Sequence, residues 1–208
     1  MKLRGLYALT PEHADSAALL RAVAQALEGG IAMLQYRRKG RQQVDEARIL
    51  ARMCRDRAVP FVVNDDVALA LASGADGAHL GRDDGELAAA RVKLDGALGG
   101  RLLGASCYDS LAAARAAVAA GADYVAFGSV FSSPTKPAAV RASLSLFGEA
   151  RALGVPLVAI GGITLENAPQ LLAAGADCLA VISDLFDAPD ITEKARAYGK
   201  LFAHDLTQ

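Results

Sequence analysis

No tryptophan occurs in this chain of 208 residues, and cysteine appears only three times, as Cys54, Cys107 and Cys178. These cysteines show neither CxxC spacing nor an even count, so neither a disulfide framework nor a redox dithiol is expected; they read as structural thiols of a reduced chain. Long apolar runs are lacking as well, and no stretch approaches the ~20 residues of a membrane span. Near the start, Lys2 and Arg4 precede a short apolar run, Leu6 to Leu9, which is too brief for a secretory signal and is followed by Pro11-Glu12-His13. The expected location is cytoplasmic. An excess of either charge is also missing: the formal net charge is −1, which provides no field to draw nucleic acid or an anionic membrane. The expected partners are therefore small molecules, with no nucleic acid and no membrane. Any anionic ligand must be held by a local cluster. Oligomeric state is left open, a homodimer being one option.

What the chain has in plenty is alanine, within an apolar content of 53%. Three stretches repeat one idea: Ala72-Ser73-Gly74-Ala75-Asp76, Ala119-Ala120-Gly121-Ala122-Asp123 and Ala173-Ala174-Gly175-Ala176-Asp177. Each closes an alanine-rich helix and opens an apolar strand, with glycine supplying the left-handed helix cap at no steric cost. An echo stands at Glu28-Gly29-Gly30-Ile31-Ala32. Recurrence of one helix-to-strand joint argues for a repeating βα unit and a parallel sheet with helices outside. Strands are expected near 4–9, 31–36, 59–63, 76–80, 101–106, 122–127, 155–160 and 176–182. Helical segments are expected at 41–57, 66–73, 84–94, 109–120, 141–153 and 165–174. Strict alternation over this length favours a single (β/α)8 TIM barrel with parallel strands, one domain over 1–208, above an open doubly wound sheet.

A barrel places its chemistry at the C-terminal ends of the strands. Those ends are polar here: Gln35-Tyr36-Arg37-Arg38-Lys39, Asn64-Asp65-Asp66, Gly81-Arg82-Asp83-Asp84, Ser106, Gly128 through Lys136, Gly161-Gly162-Ile163-Thr164 and Ile182-Ser183-Asp184. Arg37, Arg38 and Lys39 could form a solvated basic turn. Gathered on one rim with Lys136 of the polar loop Ser132-Ser133-Pro134-Thr135-Lys136, they suit a polyphosphate. The acidic pairs Asp65-Asp66 and Asp83-Asp84 could cap helices, most readily at Asp66 and Asp83. One aspartate from each pair would equally provide hard oxygens for Mg²⁺, which takes one or two carboxylates together with substrate phosphates and water. Gly161-Gly162 and Ser183 occupy the place where many barrels hold a phosphomonoester, or else form an ordinary tight turn. His79, inside a strand, reads more readily as a packed histidine than as an acid or base. Two phosphorylated ligands, one bearing a magnesium pyrophosphate, suggest a transfer that releases pyrophosphate.

The same residues resemble the thiamine-phosphate synthase family across nearly the whole chain. The matching pieces, in the family's order, are Gln35-Tyr36-Arg37-Arg38-Lys39, Phe61-Val62-Val63-Asn64-Asp65-Asp66, Gly77-Ala78-His79-Leu80-Gly81-Arg82-Asp83-Asp84 and Leu103-Gly104-Ala105-Ser106. Ser133-Pro134-Thr135-Lys136, Ala159-Ile160-Gly161-Gly162-Ile163 and Ala180-Val181-Ile182-Ser183 follow. The resemblance implies a βα-barrel transferase of thiamine biosynthesis. Such an enzyme condenses a hydroxymethylpyrimidine pyrophosphate with a thiazole phosphate through a pyrimidine carbocation. It further implies that Gln35, Tyr36, Arg37, Arg38, Lys39, Asn64, Ser106 and Lys136 hold the pyrimidine pyrophosphate, with Arg37, Lys39 and Lys136 neutralising the leaving group. By the same resemblance, Ser133, Pro134, Thr135, Gly162, Ile182 and Ser183 hold the thiazole phosphate, and Asp65 and Asp84 bind the Mg²⁺ cofactor. The chain departs from the family pattern at Arg82, where glutamine is frequent, and at Ser133, where a hydroxyl is kept. Two other readings are weighed against this one: a thiazole tautomerase, and a non-catalytic phosphate-binding barrel. Asn64, Asp65, Asp84 and Lys136 speak against the tautomerase, and the retention of the metal ligands and phosphate cations speaks against the silent barrel.

Overall fold

The structure is a computed structural model and describes residues 3–12, 15–38, 43–96, 100–132 and 141–204. Strand and helix alternate in the order β1 (Gly5–Leu9), α1 (Ser16–Glu28), β2 (Met33–Tyr36), α2 (Val44–Arg55), β3 (Phe61–Asn64), α3 (Val67–Ser73), β4 (Gly77–Leu80) and α4 (Leu87–Asp95). The second half continues with β5 (Leu102–Tyr108), α5 (Leu111–Ala119), β6 (Tyr124–Phe127), α6 (Ser145–Ala150), β7 (Leu157–Ile160), α7 (Ala168–Ala174), β8 (Cys178–Val181), α8 (Ser183–Phe186) and α9 (Ile191–His204). The strands pair in chain order, all parallel, and β8 returns to β1 through Gly5↔Cys178 and Tyr7↔Ala180, closing the barrel. This is the expected (β/α)8 architecture.

Pleating divides each strand between two cores. On β6, Val125 and Phe127 face the helices while Tyr124 and Ala126 face the lumen; on β8, Leu179 and Val181 face out while Cys178 and Ala180 face in. The lumen is packed with Leu3, Tyr7, Leu9, Met33, Val62, Tyr124 and Val158, so the barrel is filled below its mouth.

The repeated joint does more than turn the chain. Gly74 and Gly175 adopt the left-handed cap, with φ of 73° and 106°. The aspartate that follows hooks the strand before it. Asp76 accepts from Phe61 N at 2.8 Å, Asp123 from Leu103 N at 2.7 Å and Asp177 from Leu157 N at 2.9 Å. Each aspartate also donates its own backbone N–H to the carbonyl of the residue it hooks. The first N–H of β3, of β7 and of the second residue of β5 is thereby satisfied by a carboxylate at the N-terminal face, away from the rim.

Some boundaries depart from expectation for local reasons. Helix α4 begins at Leu87 rather than 84, because the Asp84 carboxylate accepts from Gly81 N at 2.7 Å and closes a turn instead of opening the helix. Strand β5 runs to Tyr108 rather than 106, because a register shift between Ser106 and Tyr108 carries its pairing with β6 onward. The segment expected as one helix over 141–153 is α6 followed by a single 3-10 turn, Arg151–Leu153.

Candidate active site

Strand β2 and its continuation sort the basic motif by side. Gln35 faces the lumen, where its Nε2 donates to the Tyr7 hydroxyl at 2.7 Å. Tyr36 faces the helices and donates to Glu46 of α2 at 2.6 Å, and Arg38 grips the same carboxylate at 2.6 and 2.8 Å. Tyr36 and Arg38 therefore direct their side chains to the outer layer, away from the mouth. Burial alone would raise the Glu46 carboxyl, but hydrogen bonds from Arg38, Ser16 and Tyr36, together with the Arg38 charge, hold it below the usual range. Arg37 stands on the rim side and pairs with Glu12 at 3.2 Å. Its backbone is held at both ends by fully buried Thr10, whose hydroxyl accepts from Arg37 N at 2.8 Å and donates to Arg37 O at 2.8 Å. Lys39 lies outside the described residues.

Below the mouth a chain of polar side chains crosses the lumen. From Gln35 and Tyr7 it passes to Tyr124, whose hydroxyl lies 2.9 Å from that of Tyr7, and on to His79, whose Nδ1 lies 3.1 Å from the Tyr124 oxygen. His79 Nε2 then meets Ser106 Oγ at 2.9 Å. The His79 ring also stacks on Tyr124, with centroids 5.5 Å apart. Burial pushes the His79 pKa down to about 4 against the opposing charge of Asp84, so the ring is neutral near pH 7. Ser106 and His79 form a serine–histidine pair, yet the other ring nitrogen faces a tyrosine rather than a carboxylate, and so weakly basic an imidazole is a poor activator of a nucleophile. Cys107, next in sequence, faces the outer core, and burial raises its thiol to about 12.

The acidic loops flank this chain. Asn64 ends β3 beside His79 in register, and Asp65 follows with φ of 64°, its backbone N–H donating to His79 O at 2.8 Å. The left-handed conformation is uncommon for a residue with a side chain, although aspartate tolerates it better than most. Asp66 caps α3 by accepting from Leu69 N at 2.8 Å. Asp83 is exposed and caps no helix, since α4 has Glu86 before it. Asp84 lies near enough for its charge to act on His79. Arg82 stacks over the exposed Tyr108 ring at 4.7 Å. Among the described residues no group of three or more His, Cys, Asp or Glu side chains could hold a metal.

Across the mouth, Gly161 and Gly162 take φ of 104° and 64°. A side chain at Gly162 would collide with Phe131 and Ser132, which run past it while Val130 N and Phe131 N donate to Ile160 O and Gly161 O, both at 3.0 Å. Asn167 draws the turn tight, donating to Gly162 O and accepting from Thr164 N, each at 2.9 Å. Ile182 packs against the lumen residues and Ser183, exposed, opens α8. Asp184 turns away, accepting from Tyr198 at 2.7 Å and from Lys194 at 3.3 Å. Ser133, Pro134, Thr135 and Lys136 lie outside the described residues. Gln35, Arg37, Asn64, Asp65, Asp84, Ser106, Gly162, Ile182 and Ser183 thus share the C-terminal mouth. Tyr7, Thr10 and Tyr124 escape a sequence reading. Their one signal is a polar tip at positions where strand alternation points inward.

Comparison with known proteins shows the family of this chain. The family model described as thiamine monophosphate synthase matches residues 6–185. The chain belongs to the thiamine monophosphate synthase family. Proteins named thiamine-phosphate synthase from Aromatoleum aromaticum and Azoarcus sp. are each 57% identical to it, over 205 and 206 residues and at least 97% of either chain. Among solved structures, thiamine phosphate pyrophosphorylase from Pyrococcus furiosus superposes with a TM-score of 0.85 at 32% identity, covering 99% of this chain and 98% of its own. A 3-hexulose-6-phosphate synthase, 15% identical with a TM-score of 0.74, shares the fold alone. In this member of the thiamine monophosphate synthase family, the polar lumen chain runs from Gln35 on β2 to Ser106 on β5.

Proposed function

We propose that this chain, acting over 1–208 as one catalytic domain, condenses 4-amino-2-methyl-5-hydroxymethylpyrimidine pyrophosphate with a thiazole phosphate. Thiamine monophosphate and pyrophosphate are the products. It is a transferase, and the observation that carries the reading is identity of 57% with thiamine-phosphate synthases over 97% of the chain. Gln35, Asn64 and Ser106, at the mouth ends of β2, β3 and β5, hold the pyrimidine. Arg37, two residues beyond Gln35 on the same side, exchanges Glu12 for the pyrophosphate, joined by Lys39 and Lys136. Tyr36 and Arg38 serve that substrate indirectly, since their clamp on Glu46 fixes the backbone on either side of Gln35 and Arg37. Gly162, Ile182 and Ser183, with Ser133, Pro134 and Thr135, receive the thiazole phosphate, its form with or without a carboxylate.

Asp65 and Asp84 fit Mg²⁺: they are hard-oxygen donors on neighbouring loops, and a two-carboxylate set suits an ion whose shell is completed by water and substrate phosphates. When bound, that ion supplies a Lewis acid for charge growing on the leaving pyrophosphate. The chain's own cations do the same work from the other side. The methylene C–O bond breaks with its electron pair leaving on pyrophosphate. The thiazole nitrogen lone pair then forms the C–N bond, and no protein nucleophile is required. A cytoplasmic setting suits three buried, unpaired thiols. The test is a mass-spectrometric assay of purified protein with both substrates, in magnesium and in chelator. Magnesium-dependent thiamine monophosphate with released pyrophosphate is expected; folded protein that makes none, with substrates proven on a control enzyme, would move the reading to the tautomerase or the silent barrel.

A further inference from the structure

The lumen chain has a direction, and that direction follows from counting protons. Gln35 Nε2 can only donate, so Tyr7 accepts from it. Tyr7 is 1% exposed and its hydroxyl proton has a single acceptor within reach among the described residues, the Tyr124 oxygen at 2.9 Å. Tyr124, having accepted, passes its own proton to His79 Nδ1. With Nδ1 an acceptor, the proton of the neutral ring sits on Nε2 and is donated to Ser106 Oγ. The reverse order would make Tyr7 accept twice and strand its proton in the core without an acceptor.

We propose that Tyr7, Tyr124 and His79 are positioning residues that set the hydrogen-bond polarity of the ring site, forcing Ser106 to present its hydroxyl proton to the substrate. Ser106 already accepts from His79, and among the described residues its own proton has no acceptor, so it donates to a ring nitrogen. Gln35, anchored through Nε2, keeps its carbonyl oxygen clear of the chain and able to accept from an exocyclic amine. A donor at one end of the chain and an acceptor at the other match an aminopyrimidine, which offers a ring nitrogen to accept and an exocyclic amine to donate, and oppose its oxo analogue, where the amine is replaced by an acceptor oxygen. Gly104 belongs to the device. A Cβ there would overlap the Tyr124 hydroxyl and His79 Nδ1, so bare backbone is needed where that bond crosses β5. This inference deepens the proposed reaction and rests on it for the identity of the ring, while the proton order itself is a property of the ligand-free protein.

Two measurements test it. Long-range ¹H–¹⁵N correlation spectra of ligand-free protein near pH 7, with the His79 signals identified by their loss in His79→Gln, should show the Nε2–H tautomer. An Nδ1–H tautomer overturns the proposal, because it means that the Gln35 amide presents oxygen to Tyr7 and the chain runs backwards. Tyr124→Phe keeps the ring and its stacking but cuts the chain. It should raise KM for the pyrimidine pyrophosphate about tenfold and lower discrimination against the oxo analogue about tenfold, while KM for the thiazole phosphate stays within about twofold. Unchanged values for both substrates likewise overturn it. Inactivity of the wild type would defeat the proposed reaction while leaving the tautomer result standing, and if Tyr124→Phe fails to fold the spectra of the wild type decide alone.

Discussion

Asp65 joins two demands at one position, a carboxylate at the mouth and a backbone φ of 64°. Asparagine tolerates that backbone about as well as aspartate does, so Asp65→Asn separates charge from conformation. Turnover at saturating magnesium should fall about a hundredfold, the order expected when one preorganised electrostatic group is lost. The melting temperature should stay within a few degrees, which thermal denaturation followed by circular dichroism would check. Wild-type turnover would remove Asp65 from the proposed Mg²⁺ site. Glu46 offers the opposite case, a residue of the outer layer that titrates. Its folded pKa lies below the ordinary 4.5. The resulting stability is complete above the unfolded value and is lost as pH falls below about 4.5 toward the folded one. Urea midpoints measured between pH 6 and pH 3 should therefore drop more steeply in the wild type than in Glu46→Gln. At neutral pH the variant should be weaker by about 1–3 kcal/mol, because Arg38 and Tyr36 lose a charged acceptor.

Between helix and strand, the recurring joint is the device to test. Asp76, Asp123 and Asp177 each hold a backbone N–H at the start of the preceding strand, on the face opposite the mouth. Substituting any one with alanine should cost about 1–3 kcal/mol, since it strands a part-buried N–H. The sites share no partners, so the losses should add within about 0.5 kcal/mol in the triple variant. Urea denaturation measures this, and an unchanged kcat/KM in the single variants would show that the joints hold the scaffold without reaching the mouth. The alternation of strand and helix and the glycine caps were legible in sequence because they depend on neighbours a few positions away, whereas boundaries such as the start of α4 and the end of β5 were set by a turn and a register shift. The second use of the aspartates was not, because Leu103 and Leu157 lie 20 residues upstream of the carboxylates that hold them.

Closure of the barrel buries thiols in both cores: Cys178 in the lumen, Cys54 and Cys107 between sheet and helices. Burial lifts all three to about 12. A thiol reagent at pH 8 should therefore find none of them in the folded protein and all three in denaturant, with one shared dependence on urea if the barrel opens as a unit. Early reaction of one thiol would show that its layer opens separately. At this scale the division between sequence and structure is plain. Apolar strands alternating with helical segments, glycine after each alanine-rich helix and polar strand ends determined a parallel βα chain with charged strand ends, because each is a local property of the polymer; they favoured a barrel, but only the pairing of β8 with β1 closed it. Only the tertiary structure decided which residues of Gln35-Tyr36-Arg37-Arg38 face the mouth, since that depends on the pleat and on Glu46 waiting outside. It alone joined Tyr7 to Tyr124, 117 positions apart, and placed Gly104 to make room for the bond to His79. Hydrogen-bond polarity across a closed lumen is a property of the circuit, and no segment of the chain carries it alone.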